Sequence, residues 1–349
     1  RIIIMMTALQ AAGQEPTIRN IGSKVQQFGG LRKSIGQGGS DSLRHRDKLE
    51  DSITISFRYL DSTHSYKLDS SIDDFYKRFP VPATYINLGN TGTAARNLLF
   101  SPVLGPGFDP GFHAFDVYRW KVEDVRFFTT TRPYSELNYF LGSRTEQIID
   151  LLHTQNIKPN WNIAFEYRLI NSPGTFKSQK TVHNNYMLAS KFQSKNLRYN
   201  NYVALVGNKL IAAENGGMQD TANFLDDPDY KDRFEIPTRI GTKEAYSTNF
   251  FSTKINTGNK YSLFTGLLRQ QYDFGKKDSI VTDSTVIPLF FPRVRFEHTI
   301  ELQQNKYTYQ DLNGDSVYYK TYYDTTLRKP SDTFMVKERW QMLTNDFSI

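Results

Sequence analysis

Trp161-Asn162-Ile163-Ala164-Phe165-Glu166-Tyr167-Arg168-Leu169 alternates large apolar side chains with polar, charged or small ones. Successive side chains leave a strand on opposite sides. Trp161, Ile163, Phe165, Tyr167 and Leu169 therefore share one face, and Asn162, Ala164, Glu166 and Arg168 share the other. A two-faced run of about 10 residues is the length a tilted strand needs to cross the hydrocarbon core of a bilayer. Lipid offers no partner to an open N–H or C=O, so β structure spans it only as a closed barrel.

The same pattern recurs on both sides of this stretch. Residues 112–122, 124–131 and 133–141 read as strands before it, and 185–193, 201–210, 249–256 and 260–274 after it. Over 293–302, Val294, Phe296, His298, Ile300 and Leu302 oppose Arg293, Arg295, Glu297, Thr299 and Glu301. Glu146–Gln155 fits helical spacing as well as strand spacing, and its strand neighbours decide for strand. Ile53, Ile55, Phe57 and Tyr59 mark a first strand, and Ser71–Phe79 reads as a short helix stopped by Pro80 and Pro82. Turn chemistry at Pro159-Asn160, Asn171–Gly174 and Arg198–Asn200 separates the strands. Asn256–Asn259 and Asn313-Gly314 predict two further hairpins, the second between 307–309 and 317–319. A polar excursion over about 212–248 has the place of a long external loop.

The fold class expected is all-β, an antiparallel outer-membrane type of transmembrane barrel that is incomplete in this chain. A mean hydropathy of −0.54 does not oppose this, because a barrel has a polar lumen and polar loops. The high aromatic share, 14%, suits half-buried strands and a membrane interface. With no cysteine, the chain has no disulfide framework, thiolate metal site or Cys nucleophile. The net charge of +7 is dispersed among both signs, so no nucleic-acid partner is expected. Arg1 followed by an apolar run from Ile2 to Leu9 and small residues at Ala11 and Gly13 reads as the end of a signal peptide over 1–13. Residues 14–51 then form a flexible Gly-rich lead-in, and 52–108 a segment before the barrel, periplasmic or lumenal. Residues 109–349 are the N-terminal part of the barrel.

Little catalytic chemistry is written here. The histidines are scattered singly, no Ser has a G-x-S-x-G setting, and Asp311-x-Asn313-Gly314-Asp315 suits a turn better than a calcium loop. No enzyme activity, cofactor or metal is expected. The polar strand face remains, and Arg58, Glu166, Arg168, Arg293, Arg295, Glu297 and Glu301 are the candidate pore-lining residues.

Ordered matches then make the chain familiar. They include Asp41-Ser42-Leu43-x-His45-Arg46-Asp47, Asp51–Asp61, Leu88-Gly89-Asn90-x-Gly92, Gly111–Asp116, Arg132-Pro133-Tyr134-x-Glu136-Leu137, His153–Asn162 and Asn171–Gly174. Over roughly 40–310 the chain resembles the Bacteroidota putative porin family. The resemblance implies an outer-membrane barrel in contact with lipid, passing small hydrophilic solutes, and contributes no catalytic residues. Members of that family are longer, which implies an N-terminal part here. The leading expectation is a porin-like channel for passive diffusion in the outer membrane of a Gram-negative bacterium. A plugged barrel acting as specific transporter or scaffold, and a secreted soluble β-sandwich binding glycans, are the alternatives. Homo-oligomerisation stays open.

Overall fold

The computed structural model describes residues 54–68, 79–100, 102, 109, 111–219, 223–242, 252–281, 286–324 and 333–349. The expected signal peptide and lead-in, and all but the last residue of the helix expected over 71–79, lie outside them. The described residues are almost entirely strand and connection, and every strand pairing is antiparallel. Five short strands come first: β1 (Ile55–Arg58), β2 (Tyr66–Lys67), β3 (Tyr85–Asn87), β4 (Ala95–Asn97) and β5 (Phe127–Thr130). They form two small sheets, β2-β1-β5 and β3-β4. The long strands follow as β6 (Tyr134–Leu141), β7 (Gln147–Lys158), β8 (Trp161–Ser172), β9 (Thr181–Gln193), β10 (Tyr199–Ala213), β11 (Thr257–Val281), β12 (Val286–Asp311) and β13 (Phe334–Ser348). These eight make one meander in which each strand pairs with its sequence neighbours, and the sheet is open between β6 and β13.

Register fixes which side chains face which way. Ala164, Ala189 and Ala204 stand opposite one another on β8, β9 and β10, and all three are buried. This row of small side chains leaves room on the inner face, which the chain's own earlier residues fill. Val125, Phe127 and Phe128 join the alanines, Met187, Tyr202 and Val206 in one hydrophobic cluster. Each large side chain buried this way contributes about 1.5–3 kcal/mol. The outer face carries apolar side chains that stay open: Leu137, Tyr139, Leu141, Leu343 and Phe347 are all exposed. On it, Tyr186 lies across Gly207, where a Cβ would come within 2.0 Å of the ring, so this strand glycine makes space for an aromatic neighbour.

The connections divide by end. Residues 159–160 and 194–198 join strands at one end, where the β11–β12 hairpin also turns. At the other end the chain passes from β6 to β7, β8 to β9, β10 to β11 and β12 to β13. β11 and β12, at 25 and 26 residues, run past their neighbours at the short-turn end as a two-stranded ribbon.

Four expectations are corrected, the first being the strand over 249–256, whose described residues 252–256 form none. Residues 112–122 are not a strand: 3₁₀ turns occupy Asp116–Tyr118 and Val122–Asp124. Phe115 and Tyr118, three apart, thereby bury on the same side, which strand alternation would forbid. Asn256–Asn259 is not a hairpin turn, because β11 begins at Thr257 and pairs with β10. Gly258, at φ +141°, lies so close to Ala212 O that a Cβ there would collide with it. Asn313-Gly314 is not a hairpin either. The Asp315 carboxylate caps Val317 N and starts helix α1 (Ser316–Tyr323), so β12 pairs with β13 instead. The strands expected over 133–141, 146–155, 161–169, 185–193, 201–210 and 293–302 all form.

Candidate functional site

The inner face of the eight-stranded sheet carries the polar chemistry. Asp150, Arg168, Asn185 and Asn208 are directly opposed from β7 to β10, and the row continues through Leu263 and Asn305 to Trp340 on β13. Its buried part holds the backbone of the preceding segment. Arg168 Nη2 and Asn185 Nδ2 both donate to Tyr118 O, at 2.6 and 3.0 Å. Asn208 accepts from Trp120 N at 2.8 Å and donates to Trp120 O at 2.9 Å. The Arg168 guanidinium also lies 4.9 Å from the Trp120 ring centre. Backbone groups without strand partners are thus satisfied by side chains of the wall.

The hold extends toward both ends. Toward the long connections, His183 Nδ1 accepts from Ile211 N, which leaves Nε2 to donate to Gly92 O at 2.7 Å. Gly92 sits at φ +92° with Thr181 so close that a Cβ would strike it, and Thr181 Oγ1 donates to Thr91 O at 2.6 Å. Toward the short turns, Arg126 pairs with Glu166 at 3.0 Å, Lys191 donates to Thr129 Oγ1 at 3.0 Å, and Arg269 bonds Asp61. Outside the long strands, burial pushes the Tyr118 phenol up to about 12, so it stays neutral.

The candidate pore-lining residues separate into groups. Glu166 and Arg168 face inward on β8, but they meet Arg126 and Tyr118 O. Arg58 belongs to β1, not to the long sheet, and donates to Tyr202 OH on β10. Arg295 forms a two-point pair with Asp273 at 2.6 and 2.9 Å, and Glu297 accepts from Gln271 Nε2 and is ion-paired with Arg269 at 3.2 Å. Glu301 accepts from Gln303. Arg293 is exposed on the β11–β12 ribbon, where the register slips between Gly275 and Phe274 and leaves it unopposed. Glu166 and Arg168 are thus neighbours, Arg295 and Glu297 share the β11–β12 charge cluster, and Arg293 stands apart. Residues the sequence did not single out, Asn185, Asn208, His183 and Arg126, carry much of the hold. The inward parity of Asn185 and Asn208 on their strands was the available signal.

Among the described residues no group of His, Asp and Glu could hold a metal ion, and no helix is long and apolar enough to cross a membrane. Residues 54–349 match the family model described as "Putative porin". No curated protein and no solved structure matches the chain.

Proposed function

We propose, from the premise that the chain belongs to this porin family, that β6–β13 are wall strands of an outer-membrane channel through which small hydrophilic solutes diffuse, without catalysis. The observation that carries the reading is the division of the sheet's two faces. As far as Tyr272 and Phe296, the outward positions of the eight strands hold no Asp or Glu. The inward positions hold Glu136, Asp150, Glu166, Glu297, Glu301 and Glu338. A soluble β-sandwich has no use for an acid-free outer face this wide with exposed leucines and aromatics across it, whereas a lipid-facing wall does. Short turns at one end and long connections at the other agree with periplasmic and external sides. The test is single-channel recording with the full-length protein in planar bilayers. Stepwise conductance is expected; a folded, inserted protein that stays silent overturns the channel.

One observation favours the narrower reading, a channel partly filled by its own chain. The segment from β1 to β5 is bound to the inner face at Tyr118, Trp120, Arg126 and Asp61. Loosening it with Trp120→Ala should raise conductance. Unchanged conductance in a folded variant would mean that the solute path avoids this segment.

A further inference from the structure

The outer face differs at its two ends, and the difference points to a lipid partner. At the short-turn end, Tyr199, Tyr272 and Phe296 are directly opposed on β10, β11 and β12. At the long-loop end, Lys209, Ser262, Lys306 and Arg339 form one row across β10 to β13. In the next row, Lys260 and Lys337 add two more cations, on β11 and β13. Lys209, Lys306, Lys337 and Arg339 are exposed. Among the described residues none of these four has a hydrogen-bond or ion-pair partner, while Lys260 donates to Gln310. A solvated protein surface intersperses both signs of charge, but as far as Tyr272 and Phe296 this face holds no carboxylate among the described residues.

Height supports the same partner. From Phe296 to Lys306 is roughly 33 Å along β12 at the usual strand rise. A tilt of roughly 40° reduces that to roughly 25 Å, the height of the apolar band on an outer-membrane barrel. The aromatic row then meets one lipid–water boundary and the basic row the other. We propose that Lys209, Lys306 and Arg339, supported by Lys260 and Lys337, seat the phosphate groups of a phosphorylated membrane-lipid headgroup in the outer leaflet. Adjacent strands put Lys306 and Arg339 about 4.8 Å apart at the backbone, with Lys209 about 10 Å from Lys306, so one headgroup bearing two phosphates can span the row. Ammonium and guanidinium groups bind phosphate through charge-assisted hydrogen bonds. The inference rests on the outer-membrane reading and adds the lipid class.

The test is native mass spectrometry of the detergent-solubilised full-length protein. It is titrated with diphosphorylated lipid A, with the same lipid after dephosphorylation, and with inorganic phosphate as competitor. The wild type should hold the diphosphorylated lipid preferentially. The triple variant K209Q/K306Q/R339Q should lose affinity on the order of 100-fold. The double variant K276Q/K277Q, with cations removed from the ribbon at the other end, should bind as wild type does. Equal binding by the triple variant, equal binding of dephosphorylated lipid, or full displacement by equimolar inorganic phosphate each overturns the proposal. Carbonate-resistant insertion into vesicles is measured in parallel. A wild type that fails to insert defeats the membrane reading, whereas an inserted triple variant that keeps its lipid defeats only this inference.

Discussion

β8 and β13 are written in the same alternating code, yet their inward side chains end in opposite surroundings. On β8, Asn162, Ala164, Arg168 and Ile170 are buried. On β13, the inward Glu338, Met342 and Thr344 are exposed, although Trp340 faces the same row as Arg168. The difference lies in what docks. The segment around Tyr118–Phe128 lies on β7–β10, and at β13 Phe112 reaches across to the Trp340 ring, at 6.3 Å. Strand pattern therefore sets which face is inward, and the docked segment sets whether that face is wet.

This contrast has a measurable size. Arg168→Leu removes the bond to Tyr118 O and the contact with Trp120, and strips Asp150 of the cation opposite it. It should cost about 3 kcal/mol in equilibrium unfolding from detergent, with the N-terminal segment becoming protease-sensitive first. Trp340→Ala, on the same row at the β13 end, should cost about 1 kcal/mol or less, since the indole is only partly buried and its stacking on Phe112 is loose. Equal costs at the two positions would break the comparison. Glu166→Gln falls between them. It leaves Arg126, three-quarters covered at 25% side-chain exposure, without its carboxylate, and about 1–2 kcal/mol is expected by the same measurement.

The wall was legible in the sequence because alternation and lipid-length strands need only local information. Trp161–Leu169 and 293–302 form strands as expected, and alternation holds from Val294 to Leu302, while Arg293 falls in the register slip. The docking of residues 112–128, read as strands, was not legible. Phe112, Phe115 and Tyr118 alternate poorly, and they pack against Ile148, Ile170, Leu210 and Tyr261, side chains of four strands that come together only through register. The two misread turns fail for a related reason. Gly258 and Asn313-Gly314 carry turn chemistry, but Gly258 is spent on close approach to Ala212, and Asp315 prefers to cap α1. Of the candidate site, the inward carboxylates and Arg168 could be read from parity. Their partners Arg126, Tyr118 and Asp61 could not, because they lie in segments far away along the chain.

The weakest handle on the docked segment is a proton. His113 lies between two carboxylates, with Nδ1 2.8 Å from Asp116 and Nε2 3.0 Å from Asp109. The bond to Asp116 and, less strongly, that to Asp109 hold the imidazole pKa above its ordinary value, although partial burial pulls the other way. The folded segment thus binds this proton more tightly than the unfolded chain does. The resulting stabilisation is complete below about 6.5, the ordinary histidine pKa, and is lost as pH rises through the raised value. All three side chains are largely open to solvent, so salt screens the effect and its size is the smallest of the four. Protease release of the N-terminal segment should therefore be slower at pH 5.5 than at pH 8.5 in low salt, and His113→Asn should abolish that difference. Were the difference to survive the substitution, the proton would sit elsewhere. The contrast between β8 and β13 would then need a second titrating contact under the docked segment.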